Sequence, residues 1–226
     1  MRILLVGYGR MGKLVEALAP EYGAQIAGVI TARDAERSLR EGSYGPVDVA
    51  VDFTLADAVP HNLPLLASRG INVVIGTTGW SAHETAMREV AARAGIGVLA
   101  APNFSFGVNL FQLLVEEAAR RFASHESYGA WINELHHAAK KDAPSGTALQ
   151  LRSGMERAGY TRPIDVSSTR AGWIPGTHTV GFDGPADTVT MTHTVRDRAV
   201  FARGALEAAR WLKGKQGWFT MRDLLG

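Results

Sequence analysis

The sequence predicts an α/β chain in two parts: a parallel sheet wrapped by helices over the first hundred residues, then a smaller α+β part. Three observations carry this. Short, continuous apolar runs at residues 3–6, 25–30, 47–52, 73–75 and 98–101 alternate with helical patterns at 11–18, 56–68 and 82–94. Strands that are apolar on both faces and separated by helices pair in parallel, with helices covering both sides. A Gly-x-Gly-x-x-Gly turn follows the first run directly. Beyond residue 104 the strands become Thr/Val-rich, and two of them are joined by a short turn.

Composition narrows the class. The chain has 226 residues, 46% hydrophobic and 20% charged, which is a globular balance. It has no cysteine, so disulfides, thiolate zinc sites, iron–sulfur clusters and thiol nucleophiles are excluded. A net charge of +2 does not make a nucleic-acid-binding surface. No stretch reaches the ~18 apolar residues of a membrane span, and the N-terminal run is too short and glycine-broken for a secretory signal. The expectation is a cytoplasmic protein. Residues 101–226 carry fifteen Lys/Arg against twelve Asp/Glu and hold five of the seven histidines, which points to an anionic small ligand there.

The first strand, at 3–6, runs into Gly7, Tyr8, Gly9, Arg10, Met11 and Gly12, and a helix at 11–18 follows. In that setting the glycines allow a tight turn and close approach of backbone to a pyrophosphate. The helix start then offers free N–H groups and its positive dipole. Strand–glycine turn–helix is the Rossmann pattern, so a nicotinamide dinucleotide is expected, though an ordinary βα turn has the same outline.

The second strand, at 25–30, continues into Thr31, Ala32 and Arg33, and the first acid is Asp34. NAD-preferring sites place a carboxylate at this strand end, where it repels a 2′-phosphate. Arg33 can pair with that phosphate and Thr31 can donate a hydroxyl. Both NADPH and NADH are therefore expected, with NADPH preferred. The fourth and fifth strands end in Gly76, Thr77, Thr78 and Gly79 and in Ala101, Pro102, Asn103 and Phe104. Loops at the carboxyl ends of parallel strands share one edge, so these segments are expected to outline the nicotinamide pocket.

The second part reads as a long helix at 108–122, a strand at 128–136, a helix at 148–158, strands at 164–169, 177–182 and 188–195, and a last helix at 199–212. The short turn at 183–187 implies antiparallel pairing of the last two strands. Its densest polar segment holds Glu134, His136, His137, Lys140, Lys141, Asp142, Pro144, Ser145, Gly146 and Thr147. Adjacent histidines and a lysine are donors for acid/base work. Ser145, Gly146 and Thr147 open a helix, whose hydroxyls and N–H groups suit either a carboxylate or a simple N-cap. A metal is not expected, because neighbouring histidines on a strand point apart and no third ligand stands out.

Glu-x-His-His-x-x-Lys-x-Asp-Ala-Pro-Ser-Gly-Thr-Ala, at residues 134–148, closely resembles the signature of the dihydrodipicolinate reductase family. The resemblance continues, in order, through Gly-Arg-Met-Gly at 9–12, Asp52-Phe53-Thr54, residues 76–79, Asn103-Phe104-Ser105, Arg170-Ala171-Gly172, Thr192-His193 and Met221-Arg222-Asp223. It implies NAD(P)H-dependent reduction of a cyclic dicarboxylate, the 4-hydroxy-tetrahydrodipicolinate or dihydrodipicolinate ring, in lysine and diaminopimelate biosynthesis. His136 then corresponds to the acid/base residue and Lys140 to the proton donor. His137, Lys140, Ser145, Gly146, Thr147 and Arg198 correspond to substrate contacts. Residues 7–12, 76–78 and 101–104 correspond to the cofactor site. It further implies a Rossmann domain of residues 1–104 with 199–226, and a central domain of 105–198 that binds substrate and builds a homotetramer. The family often carries an acid where this chain has Ala32. Two rival readings remain: another two-domain nicotinamide oxidoreductase, and a non-catalytic nucleotide sensor.

Overall fold

The computed structural model describes residues 1–33 and 35–226, so Asp34, singled out above, lies outside the described residues. The chain divides into two compact units, residues 1–105 with 199–226, and residues 106–198.

In the first unit β1 (Arg2–Val6), α1 (Arg10–Leu18), β2 (Gln25–Ile30), α2 (Ala35–Glu41), β3 (Val49–Asp52), α3 (Val59–Ala67), β4 (Asn72–Ile75), α4 (Glu84–Ala94) and β5 (Gly97–Ala100) follow one another. The tail adds α7 (Ala199–Leu212), β10 (Gly217–Phe219) and α8 (Met221–Leu225). The strands form one six-stranded sheet in the order β10-β5-β4-β3-β1-β2, parallel throughout. Ile3, Leu4, Leu5 and Val6 are all buried, as are β3 and β4, because helices cover both faces. α7 packs on α1 and on β3, β4 and β5. The chain leaves β1 toward β2 on one side and returns to β3 on the other. That reversal opens a crevice beyond the carboxyl ends of β1 and β3.

The second unit holds α5 (Phe106–Phe122), β6 (Gly129–His136), α6 (Gly146–Arg157), β7 (Ile164–Arg170), β8 (Thr177–Asp183) and β9 (Thr188–Thr194). Its sheet order is β7-β6-β8-β9. β6 and β7 are parallel and joined through α6, while β8 runs antiparallel to β6 and β9. One face is covered by α5 and α6, with Phe111, Val115, Leu151 and Met155 packed on Ile132, Val180 and Phe182. The other face carries Trp131 and Leu135 among polar groups, with hydroxyl pairs Thr177–Thr194 and Thr179–Thr192 at 3.2 and 3.0 Å and Asn133 bonded to Ser167 at 2.8 Å.

The predicted elements are present with shifted ends. α5 begins at Phe106 and α6 at Gly146, two residues earlier than the apolar patterns indicate; at α6 the Ser145 cap sets the start. α2, β10 and α8 have no counterpart in the sequence reading. α2 is short and polar, and β10 has only 3 residues. α8 has 5 residues, and its capping box of Thr220 and Asp223 is its one readable signal.

Candidate active site

The glycine turn is built for an anion. Gly7 has φ +94, and a Cβ there would stand 2.3 Å from the Phe53 carbonyl oxygen. A Cβ on Gly12 would stand 2.3 Å from the carbonyl oxygen of Gly7. Backbone packing therefore demands glycine at both positions. Gly9 caps α1 without any side-chain bond, and the first turn holds no acid. The helix start keeps its N–H groups and positive end for a ligand. Tyr8 folds over that turn, its hydroxyl donating to Glu16. Gly7, Tyr8 and Gly9 line a cleft of about 620 Å³ with Thr31, Ala32 and Thr54. Arg10 is exposed, Met11 half-buried and Gly12 buried on α1.

Thr77, Thr78, Ala101 and Pro102 line a second cleft of about 320 Å³ with Trp80 and Trp218. Arg33 is exposed and lines a third, of about 820 Å³, beside Arg37 and Arg40. Asn103 folds back on its own loop, accepting from the Ser105 N–H at 2.8 Å. Phe104 is 2% exposed, with its ring edge-on to Phe53 at 6.2 Å. Its side chain belongs to the core, so only its backbone can meet a cofactor. These residues fit a dinucleotide: bare helix N–H groups for the pyrophosphate and clefts along one sheet edge for its two ends.

Asp52 holds this edge together, a role the sequence reading did not assign. It is buried at the end of β3 and accepts from Thr54 N and Oγ1 at 3.0 and 2.6 Å, Thr77 Oγ1 at 3.0 Å and Asn62 at 3.1 Å. Burial raises its pKa, opposed by those four bonds. The loops after β3 and β4 are thereby tied to each other and to α3.

The second unit brings the predicted acid/base residues to the end of β6. Alternate residues of that strand are buried, so Glu134 and His136 share its inner face. Glu134 is wholly buried and His136 is 8% exposed. His136 Nδ1 lies in a short hydrogen bond to Glu134 Oε2. Arg170, at the end of β7, donates to Glu134 Oε1 at 2.6 Å and Oε2 at 3.0 Å. Burial alone would raise the pKa of Glu134, but hydrogen bonds from Arg170, Ser168 and His136 hold it at about 2. The pKa of His136 is lowered, chiefly by burial and further by the charges of Lys140 and Arg170, against the pull of Glu134. His136 is therefore a neutral imidazole at pH 7.

Lys140 Nζ donates to both oxygens of Asp142 at 2.7 and 2.8 Å. His137 is half-buried, and its carbonyl accepts from the Lys140 N–H at 3.1 Å. Ser145 caps α6: its Oγ accepts from the Ala148 N–H at 3.2 Å and contacts His178 Nε2 at 3.0 Å. Its own N–H donates to Glu134 Oε1 at 3.2 Å. Ser145 thus has protein partners at both its N–H and its hydroxyl. Gly146 is exposed and Thr147 half-buried at the same helix start. Arg198 is exposed on the stretch just before α7.

Glu134, His136 and His178 bring potential ligand atoms within 4.8 Å of one another. Sequence reasoning missed this, because His178 is 42 residues from His136 in the chain. The cation that already sits on this carboxylate is Arg170. His178 stays neutral at pH 7, its pKa lowered to about 4 chiefly by burial.

The family models for dihydrodipicolinate reductase match the chain along its length, the N-terminal one over residues 1–104 and the C-terminal one over 107–225. The chain belongs to the dihydrodipicolinate reductase family. A 4-hydroxy-tetrahydrodipicolinate reductase from Stenotrophomonas maltophilia is 40% identical over 239 residues, covering 100% of this chain and 98% of its own. The enzyme of the same name from Christiangramia forsetii is 35% identical over 236 residues, with the same coverage. Among solved structures, dipicolinate-bound dihydrodipicolinate reductase from Paenisporosarcina sp. TG-14 shares the fold, with TM-score 0.82, 21% identity and 97% coverage of both chains. Membership of the reductase family gives Glu134 and Arg170 a context that composition did not. Both stand in motifs quoted for the resemblance, and Glu134 carries one readable signal, its i−2 spacing from His136 on an alternating strand.

Proposed function

We propose that the chain is an NAD(P)H-dependent 4-hydroxy-tetrahydrodipicolinate reductase of lysine and diaminopimelate biosynthesis. The observation that carries the reading is the grouping of His136, Arg170 and the start of α6 around one buried carboxylate, with Lys140 on the loop that follows β6, in a chain whose other unit bears a bare-capped glycine turn. The cofactor supplies the hydride, and the protein supplies orientation, charge and a proton. Gly7, Gly9 and the start of α1 hold its pyrophosphate. Thr77, Thr78, Ala101, Pro102 and the backbone of Asn103 and Phe104 serve its nicotinamide end. Arg33, beside Arg37, favours the 2′-phosphate, so both coenzymes are used and NADPH is preferred.

On the substrate side a cyclic dicarboxylate needs cationic and N–H donors. Lys140, His137, Thr147, Gly146 and Arg198 supply them, and Ser145 shapes the helix start that presents them. Lys140 donates the proton that balances the hydride, and His136 relays proton charge through Nε2. From the hydroxylated ring, one hydride and one proton enter and one water leaves. The sheet face of β6, β8 and β9 away from α5 and α6 joins copies of the chain into a homotetramer. The cysteine-free chain suits a reducing cytoplasm, and no helix among the described residues is long and apolar enough to cross a membrane.

The test is direct. Purified protein, reduced coenzyme and freshly generated substrate are mixed and absorbance is followed at 340 nm. The reading expects substrate-dependent loss of absorbance. Tight coenzyme binding without that loss would make the chain a nucleotide sensor instead.

A further inference from the structure

A neutral imidazole carries one N–H, and the nitrogen that carries it sets what the ring can do. In this chain the choice is made from beneath the ring. Glu134 and His136 leave the same face of β6, and Arg170 is the register partner of His136 on β7. The buried carboxylate takes Arg170 on both oxygens, the Ser145 N–H at 3.2 Å, and Nδ1 of His136. A carboxylate with so many donors is ionised and accepts only. Nδ1 must then carry the proton and donate it. Nε2 keeps its lone pair and faces Gly176, where a Cβ would stand 3.1 Å away. Glycine at 176 leaves that side of Nε2 open, where any side chain would press on it.

We propose that Glu134 is a positioning residue of this reductase, locking His136 as the Nδ1–H tautomer with Nε2 presented to substrate. Arg170 keeps Glu134 an ionised acceptor and so holds the lock in place. This rests on the acid/base reading of His136 given above.

The charged and titratable groups that face His136 are Glu134 from β6, Arg170 from β7, His178 from β8 with ring centroids 5.1 Å apart, and Lys140 from the loop after β6. Of these only Glu134 favours a proton on the ring. Glu134→Gln removes that negative charge and can offer its amide N–H to Nδ1. The ring then turns over to the Nε2–H tautomer, and the limb of the pH–rate profile that reports His136 moves to lower pH.

The experiment combines nitrogen NMR of ¹⁵N-histidine-labelled protein with steady-state kinetics. The signals of His136 are assigned by their loss in His136→Gln. Wild type is expected to show Nδ1–H at His136, and Nε2–H there would overturn the proposal. Glu134→Gln is expected to shift His136 toward Nε2–H and lower kcat by about 10²-fold, the scale of acid/base contributions, with coenzyme affinity unchanged. In a His136→Gln background the same substitution should add no further loss, because the two residues act as one unit. Equal losses in both backgrounds would overturn the positioning role while leaving the reading of His136 intact. Full turnover by His136→Gln would overturn that reading itself. Should Glu134→Gln fail to fold with Arg170 left unpaired, the wild-type tautomer still decides.

Discussion

Arg170 grips Glu134 through both carboxylate oxygens, at 2.6 and 3.0 Å, from the neighbouring parallel strand. The same carboxylate receives His136 and the backbone N–H of Ser145. One buried acid therefore joins the end of β6, the end of β7 and the start of α6. This junction ties the segment with the proposed acid/base residues to the rest of the second unit.

Acid should weaken the fold in two stages. His178 has its pKa lowered from 6.5 to about 4 by burial, so the unfolded chain binds this proton first. Its contribution is fully present above about pH 6.5 and is lost as pH falls through about 4, on the order of 3 kcal/mol in all. His136 and His193 are lowered as well and add in the same direction. Glu134, held at about 2 against an ordinary 4.5, adds a second loss between those values. Melting temperature measured against pH should be level above pH 7 and fall from about pH 6.5 downward. His178→Gln, which keeps a polar group near Ser145, should flatten the first stage; an unchanged slope would remove His178 from the account.

Two neighbouring substitutions should separate capping from recognition at α6. Ser145→Ala removes the bond from the Ala148 N–H, so stability should drop by about 1 kcal/mol. Thr147→Val keeps shape and loses a hydroxyl, so KM for substrate should rise while coenzyme affinity holds. Denaturant titration and steady-state kinetics on both variants check this. An unchanged KM in Thr147→Val would leave the segment with capping alone.

Most of the first unit was legible because its strands are buried on both faces and its turns carry glycine. Gly7 is an example: the residue type, the strand before it and the helix after it all point one way, and the structure adds only which carbonyl it must clear. The second unit was less legible because its chemistry is assembled across strands. Arg170 lies 36 residues from Glu134, and nothing in local spacing announces that they meet. Ser145 shows the reverse case. Its type fits both a ligand contact and a cap, and only the positions of Ala148, His178 and Glu134 reveal that its donors are engaged. Phe104 likewise sits in a motif but spends its ring on the core beside Phe53.

Coenzyme choice should respond to Arg33. It is exposed just after β2, where Ala32 stands in place of an acid, and it lines a cleft with Arg37, Arg40, Glu36 and Glu41. Arg33→Ala should weaken NADPH binding by about 1–3 kcal/mol, the scale of a charge-assisted hydrogen bond, and NADH binding much less. Fluorescence titration with both coenzymes measures it. Equal losses, or a parent enzyme that binds NADH more tightly, would contradict the proposed preference.

Assembly should run through the sheet face away from α5 and α6. Thr177, Thr179, Thr192 and Thr194 pair there across β8 and β9, and β9 is an edge strand of the sheet. Edges and faces of this kind are normally covered. Light scattering at micromolar protein should give four times the mass of one chain. A monomer would refute the tetramer.

In the proposed reaction His136 and Lys140 move the proton that accompanies the hydride. The most direct measurement is kcat of His136→Gln and Lys140→Ala in the 340 nm assay, with coenzyme Kd measured in parallel. Each variant should lose about 10²-fold or more in kcat, as removal of an acid/base group does, while coenzyme Kd stays at the parent value. Near-normal kcat in both variants would show that neither residue carries that proton.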